Sequence, residues 1–197
     1  MAVVLRAIGW LLRSVRCGDH RLTCNSQAVK AQSKSIVLTS PAFTHGGGIP
    51  KVHAGYGVGK NLSPELAWEN LPAGTVELAF VLEDIDVPLW RPIVHTVATG
   101  INPTLKGLSQ GALQAPDKGA VNERPPQVTL QKGTLGLYGY RGPRPIPGHG
   151  PHTYVFQLFA LKEPLTLKSP AGYTVFVNQL KGNVLAWGRL DGTYEQF

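Results

Sequence analysis

The stretch from residue 140 to residue 161 constrains the fold of this chain more than any other. Its first half, residues 141–151, contains four prolines and three glycines together with two arginines and a histidine. A helix is excluded there, because proline lacks an amide proton and glycine is too flexible. Its second half, residues 153–161, is mostly β-branched, aromatic or aliphatic, which predicts a strand buried on both faces. The sequence therefore predicts a stiff polar loop that leads directly into a core strand.

His152 and Tyr154 stand at the junction between that loop and that strand. Because strand residues two apart point to the same side, we expect the two side chains to share a face. The backbone amides of the loop, with His149 among them, form a natural cradle for an anion. A rigid loop joined to a buried strand is a common setting for a binding site.

The remaining strands are predicted from short apolar and β-branched segments bounded by turn residues. These predicted strands are residues 35–39, 65–69, 76–82 and 92–101, with a short closing strand at 189–194. Residues 102–138 are predicted to be mostly loop. The 23 glycines and 16 prolines of the 197-residue chain also favour a β-rich fold over a helical bundle.

Two helices are predicted, one at each end of the chain. Residues 2–16 place apolar side chains on one side at helical spacing, with arginines on the neighbouring side. Near the C-terminus, four apolar residues recur at i, i+4, i+8 and i+11, which predicts an amphipathic helix packed on a sheet. These four residues are Phe176, Leu180, Val184 and Trp187.

Charge divides the chain into a basic N-terminal arm with its connector, residues 1–34, and a β domain, residues 35–197. The arm carries six Lys and Arg against one acid, Asp19, giving +5, and the β domain carries thirteen against eleven, giving +2. The near-neutral charge of the β domain argues against a broad nucleic-acid surface on it.

The N-terminal helix has three interpretations. In the first, the helix packs on the β domain or on a second subunit of a homodimer. In the second, it is a mitochondrial targeting helix, and in the third, it contacts a membrane surface. A spanning helix is disfavoured, since the segment is shorter than the ~20 residues a span needs and arginines interrupt it. The only cysteines, Cys17 and Cys24, both lie in the arm, which favours a reducing compartment and a cytoplasmic location.

Candidate chemistry comes from acids and histidines at predicted strand ends. Asp84 follows the strand at 76–82, and His95 lies inside the apolar strand at 92–101. A pair of Asp84 with a histidine would fix one imidazole tautomer and raise its proton affinity. A second histidine and the loop amides would then receive the oxygens of a phosphate or a carboxylate. Neither a metal nor a cofactor is expected, because His149 and His152 lie on a proline-rich loop without the helical spacing of zinc ligands.

Two separated motifs carry a resemblance to a known family. The first is D-I-D-V-P at residues 84–88, with His95 seven residues beyond, and the second is G-P-R-P-I-P-G-H-G-P-H-T-Y-V-F at residues 142–156. N-L-S-P-E-L-A-W at residues 61–68 and D-G-T-Y-E at residues 191–195 extend the match. Over about residues 35–196 the chain resembles the phosphatidylethanolamine-binding, Raf-kinase-inhibitor-like family, most closely its bacterial and fungal branch.

The resemblance implies a mainly β fold with a large antiparallel sheet, a second smaller sheet and few helices. It also implies a small pocket that takes phosphate, acetate or a phospholipid headgroup. Carried onto this chain, the pocket residues are Asp84, His95, His152 and Tyr154, with Gly142 and Pro143 on the loop wall. Asp86 and Pro88 would shape the turn beneath, with a cis bond between Val87 and Pro88.

Two functions fit such a pocket. The first is binding of a small anionic ligand, with a regulatory role. The second is cofactor-free acid–base catalysis, an isomerisation, dehydration or cyclisation in a biosynthetic pathway, with Asp84, His95 and His152 as catalytic residues.

Overall fold

The structure is a computed structural model that describes residues 2–115 and 128–197. Within these residues the chain forms two helices and eight strands. The helices are α1 (Ala2–Leu11) and α2 (Tyr173–Leu180). The strands are β1 (Val37–Thr39), β2 (Leu66–Glu69), β3 (Glu77–Asp84), β4 (Ile93–Ile101), β5 (Gly107–Leu108), β6 (Thr129–Gln131), β7 (His152–Leu161) and β8 (Val184–Tyr194).

These strands form two antiparallel sheets. The larger sheet has the strand order β6-β4-β3-β7-β8, and the smaller has the order β1-β2-β5. The prediction of a mainly β fold with a large and a small antiparallel sheet is therefore confirmed. The strands predicted from the sequence are present with small shifts at their ends, except that the closing strand predicted at 189–194 begins earlier, at Val184.

The two faces of the large sheet are covered by different layers. On β3, Leu78, Phe80 and Leu82 face a first core that also contains residues of the small sheet, such as Trp68. The alternate residues of β3 face a second core, which is closed by α2 and by part of the N-terminal segment. Each fully buried large apolar side chain contributes about 1.5–3 kcal/mol to folding.

The connector at residues 17–34 is built into this second core. Leu22, Cys24 and Val29 are fully buried there, although the segment has no strand or helical periodicity. Cys17 and Cys24 are both free and buried, and burial raises the pKa of the Cys24 thiol to about 11. The segment therefore stabilises the β domain by direct packing.

The predicted helical stripe near the C-terminus is wrong beyond Leu180. Helix α2 ends at that residue, and both Val184 and Trp187 lie in β8. Gly182 has φ +71°, in the left-handed region that favours glycine, and the chain turns there into the strand. Side chains of β8 then alternate with a period of two between buried and half-buried. The four apolar residues at helical spacing therefore belong to two elements, the helix α2 and the strand β8.

One further expectation needs correction. The Val87–Pro88 bond is trans, and the cis bond in the described part of the chain is Ser169–Pro170. The turn is held from the arm, because the amides of Cys17 and Gly18 donate to the carbonyls of Val87 and Ile85. Residues 102–138 were predicted to be mostly loop, and their described part is mostly loop apart from the short strands β5 and β6; residues 116–127 lie outside the described residues.

No helix in the described ranges is both long enough and apolar enough to cross a bilayer.

Candidate functional site

Three adjacent strands of the large sheet bring the candidate side chains together. Asp84, the last residue of β3, lies opposite Tyr154 on β7 and opposite Ile93 on β4. His95 is two residues further along β4, and His152 is two residues before Tyr154 on β7. The rings of His152 and Tyr154 are stacked, with centroids 6.4 Å apart. Side chains from distant parts of the sequence thus meet at one end of the sheet.

Asp84, His152 and His149 form a hydrogen-bonded chain. Nδ1 of His152 lies 2.8 Å and 3.1 Å from the two carboxylate oxygens of Asp84. Nε2 of His152 lies 2.7 Å from Nδ1 of His149. Because a carboxylate only accepts, Nδ1 of His152 carries a proton. Nε2 of His149 makes no well-formed hydrogen bond within the described residues, although the backbone of Leu12 and Val15 acts on this ring and opposes the lowering of its pKa.

His95 and Tyr154 complete the cluster and contain further unpaired atoms. Their rings are in edge contact, with centroids 5.4 Å apart. Nδ1 of His95 donates to the carbonyl of Arg141 at 2.9 Å, while Nε2 of His95 has no partner among the described residues. The hydroxyl of Tyr154 likewise makes no well-formed hydrogen bond there. Buried polar atoms are normally hydrogen-bonded, so unpaired atoms on adjacent rings indicate a place where a ligand or water belongs.

The loop wall predicted at Gly142 and Pro143 is held by a neighbouring segment. The amide of Gly142 donates to the side chain of Asn61 at 2.9 Å, and the carbonyl of Pro143 accepts from Gly55 at 2.8 Å. A Cβ at Gly142 would overlap the carbonyl oxygen of His53, so only glycine fits there. The Gly142 amide is therefore used within the protein and does not face an anion.

Burial shifts the pKa values of His95, His149 and Tyr154 towards their uncharged forms. It lowers the pKa of His95, although the charge of Asp84 opposes this shift. Burial also lowers the pKa of His149, and neighbouring His152 lowers it further. The pKa of Tyr154 is raised well above its usual value by burial and then by Asp84. Near neutral pH the uncharged forms of these three rings are therefore favoured.

The N-terminal segment covers the histidine end of the cluster. Arg16 donates through Nη1 to the carbonyl of Pro151 at 2.9 Å, and the same nitrogen lies 2.8 Å from the carboxylate of Asp86. Gly9 of α1 is buried, and a Cβ there would overlap the carbonyl oxygen of Pro147. As a result His149 is fully buried, and His95, with 9% of its surface exposed, is the most accessible member of the cluster.

Asp86 anchors the turn at the edge of the site. Its Oδ2 accepts from the amide of Thr153 at 2.6 Å, and its own amide donates to Asp84 Oδ1 at 2.9 Å. Burial alone would raise the pKa of Asp86, but the hydrogen bonds from Arg16 and Thr153 outweigh it and lower that pKa. Asp86 therefore joins the arm, the β3 end and the start of β7.

Two important residues were missed by sequence reasoning. Asn61 has φ +54° and connects the loop wall to Tyr140 through its side chain, and an asparagine before Leu-Ser-Pro was a usable turn signal. Arg16 crosses to the loop 135 residues away in sequence, and no local pattern predicts such a contact.

The arrangement can hold a small polar ligand and can move a proton. Nε2 of His95 and the hydroxyl of Tyr154 are suited to a ligand oxygen, and Asp84, His152 and His149 form a hydrogen-bonded chain along which a proton can move. In residues 2–115 and 128–197 there is no group of three His, Cys, Asp or Glu side chains placed to hold a metal ion. The chemistry available from these residues is hydrogen bonding and proton transfer.

Comparison with known proteins gives one consistent result. Residues 39–195 match the family model described as phosphatidylethanolamine-binding protein. A UPF0098 protein of Methanothermobacter thermautotrophicus is 34% identical over 161 residues, covering 81% of this chain and 98% of the relative. The phomoidride biosynthesis cluster protein B of a fungal species is 30% identical over 197 aligned positions, covering 95% of this chain and 92% of the relative. The fungal match thus reaches into the N-terminal arm, upstream of the family model.

Solved structures agree with this result. Escherichia coli YbcL, described as a member of the mammalian PEBP family, aligns with a TM-score of 0.72 and 25% identity, covering 82% of this chain and 98% of YbcL. The homologue CT736 of Chlamydia trachomatis aligns with a TM-score of 0.69 and 27% identity, covering 84% of this chain and all of CT736. The family match and the shared fold lead to one conclusion: this chain belongs to the phosphatidylethanolamine-binding protein family.

Proposed function

We propose that this chain binds a small oxyacid, a phosphate, phosphomonoester or carboxylate, between His95 and Tyr154. The supporting observation is the buried Nε2 of His95, which has no partner among the described residues, in edge contact with Tyr154, whose hydroxyl makes no well-formed hydrogen bond there. An unpaired buried polar group costs about 1–3 kcal/mol, and a ligand oxygen would remove that cost. The family description names a phosphate-containing lipid, whose headgroup has the same chemistry.

The tautomer of His95 determines how such a ligand is held. Because Nδ1 donates to the Arg141 carbonyl, the Nε2 atom of the neutral ring is an acceptor. A bound oxyacid must therefore bring a proton to His95 or be accompanied by proton uptake, while Tyr154 donates its hydroxyl proton. Burial lowers the pKa of His95, so the free protein enters this equilibrium with the ring neutral. Binding is then coupled to a proton and becomes tighter as the pH falls.

Titration with inorganic phosphate, followed by calorimetry, tests this proposal. Both His95→Gln and Tyr154→Phe should weaken phosphate binding at least about tenfold, because each removes one partner of the ligand. His20→Gln, which changes an exposed histidine in the arm, is the control and should bind like the unchanged protein. Affinity should also rise between pH 8 and pH 6, by up to about tenfold per unit. Affinity that is independent of pH and unchanged in both variants would contradict the proposal.

Acid–base catalysis is the second candidate, and a specific observation favours it. Asp84 holds Nδ1 of His152 at 2.8 Å, which is the arrangement of a supported general base. The fungal relative is named for a biosynthesis cluster, which is consistent with a cofactor-free isomerase, dehydratase or cyclase.

The first step of such reactions, removal of a proton from carbon beside a carboxylate or ketone, can be measured directly. The unchanged protein should accelerate exchange of the methylene protons of acetoacetate in deuterated water, followed by nuclear magnetic resonance. Asp84→Asn should reduce the protein-dependent exchange by about 10²-fold or more, within the range that general-base catalysis supplies. The same exchange rate in Asp84→Asn and in the unchanged protein would remove this candidate and leave the binding proposal intact.

A further inference from the structure

Helix α1 presents an apolar surface that the rest of the described chain leaves open. Val3, Val4, Trp10 and Leu11 are all more than half exposed, with Leu11 at 69%. Arg6 is the single charged residue of the helix. Exposed apolar clusters of this kind mark interaction sites, because water disfavours leaving them uncovered.

The position of this surface is fixed by the opposite side of the helix. Gly9 is its buried residue and lies against the loop at Pro147 and His149, so close that a Cβ would overlap the loop backbone. A Cβ at Gly148 would lie 2.7 Å from the carbonyl oxygen of Arg6, which again shows close approach of the two backbones. With the glycine side against the loop, the apolar side chains are held outward.

Charge indicates what covers the surface. Residues 2–18 contain three arginines and no acid. Arg16 is committed to Asp86, whereas Arg6 and Arg13 are exposed. A two-fold contact between two copies of this chain would place the same surface against itself, and the arginines would meet like charges without an acid on the helix to pair with. An anionic lipid surface suits both features of this helix. Its acyl chains can cover the apolar side chains, and its negative headgroups can pair with the arginines.

We propose that α1 docks the protein on anionic membrane surfaces, lying in the plane of the interface. Ten residues are too short to span, whereas an interfacial helix needs only to bury its apolar side among the headgroups. Trp10 stands at the surface, where its amphipathic ring suits the boundary between lipid and water. Docking brings the loop at residues 147–151, and therefore the histidine end of the candidate site, close to the lipid. This proposal does not depend on phosphate binding in the buried site.

Sedimentation of the full chain with vesicles tests the proposal. We expect binding to phosphatidylcholine vesicles containing about one third phosphatidylserine, and at least tenfold weaker binding to phosphatidylcholine alone, since each arginine near an anionic surface contributes about fivefold. Raising the salt concentration should weaken binding to the vesicles that contain phosphatidylserine and leave binding to pure phosphatidylcholine vesicles unchanged. Equal binding to both vesicles, or no binding to either, would overturn the proposal.

Matched charge insertions locate the contact. Leu11→Glu places an acid on the docking surface, and Leu135→Glu places the same acid on the body of the protein, at a leucine that is 93% exposed. Leu11→Glu should reduce vesicle binding about tenfold or more, while Leu135→Glu should bind like the unchanged protein, with both unfolding at the same temperature. Equal effects of the two substitutions would exclude α1 as the contact. A dimer in solution that Leu11→Glu dissociates would show that a second copy covers the surface and would also overturn the proposal.

Discussion

Two adjacent carboxylates at the end of β3 face opposite sides of the large sheet, and their surroundings differ. Glu83 points into the second core, and its oxygens accept from the amide and hydroxyl of Thr23, from Gln157 and from Tyr173. Asp84 points to the other side and accepts from His152 and from the amide of Asp86.

Near Asp84, atoms of His95, His149 and Tyr154 make no well-formed hydrogen bond to the described residues, whereas the hydroxyl of Tyr173 beside Glu83 contacts both Thr23 and Glu83. The donors around Glu83 offset part of the desolvation of its carboxyl group, and in doing so they join the arm and the sheet. A buried carboxylate beside unpaired groups leaves hydrogen-bonding capacity for a ligand. The two sides of one strand end thus separate a structural acid from a candidate functional one.

The largest expected effect is on the structural side. Glu83→Ala removes the acceptor of several buried donors, and it also detaches the arm at Thr23 from the sheet. We expect a loss of about 3 kcal/mol or more in the free energy of unfolding, measured by urea denaturation. Glu163→Ala, at an exposed glutamate, is the control and should stay within about 0.5 kcal/mol. A similar small loss in both variants would break the comparison.

Removing one hydroxyl near each carboxylate, that of Tyr173 beside Glu83 and that of Tyr154 beside Asp84, compares the two sides of the sheet directly. Tyr173→Phe removes a hydroxyl that donates to Glu83 and contacts Thr23, so stability should fall by about 1.5 kcal/mol. Tyr154→Phe removes a buried hydroxyl without a well-formed hydrogen bond, so stability without ligand should rise by about 1 kcal/mol.

Thermal unfolding in phosphate-free buffer measures the change in stability of the two tyrosine variants. Opposite signs would show that the site side sacrifices stability for binding, as functional sites often do. A loss of stability in Tyr154→Phe would indicate that its hydroxyl is already paired within the protein.

The site side of this comparison was largely accessible from the sequence. The loop-to-strand junction predicted that His152 and Tyr154 share a face, and Asp84 and His95 each followed or interrupted an apolar strand. Such local patterns carry over into the fold because side-chain direction in a strand is set by a period of two. The family motifs also span most of these positions, and the resemblance to the family assigned these distant segments to one pocket.

The structural side was not accessible in the same way. Thr23 lies 60 residues from Glu83 in a segment without periodicity, and its contact depends on how the arm folds back over the sheet. The helical spacing of Phe176 and Leu180 continued by coincidence into β8, because apolar residues of a strand can also fall at helical intervals. Local patterns predict elements well, whereas contacts between distant polar segments depend on the assembled fold.

The smallest expected effects come from acid, which should act oppositely on the two sides. Burial raises the pKa of Glu83 above its usual 4.5, so its contribution to stability is complete below that pH and is lost as the pH rises through the folded value. The pKa of Asp86, at the turn beside the site, is lowered below 3.8 by Arg16 and Thr153 despite its burial. The contribution of Asp86 to stability is therefore complete above pH 3.8 and is lost as the pH falls through the pKa of Asp86 in the folded protein.

Asp86→Asn should therefore differ in stability from the unchanged protein near neutral pH, and the difference should shrink towards about pH 2.5. Glu83→Gln should show the reverse trend, since acid favours the unchanged protein at that position. Denaturation series across the acid range measure both, with Glu65→Gln, an exposed glutamate, as the control that should follow the unchanged protein throughout. If the two differences changed in the same direction with pH, the environments of the two sides would not be distinct in the way that their hydrogen bonds indicate. Opposite trends would mean that one strand end holds a carboxyl that folding prefers protonated, while the turn that follows it holds a carboxyl that folding prefers charged.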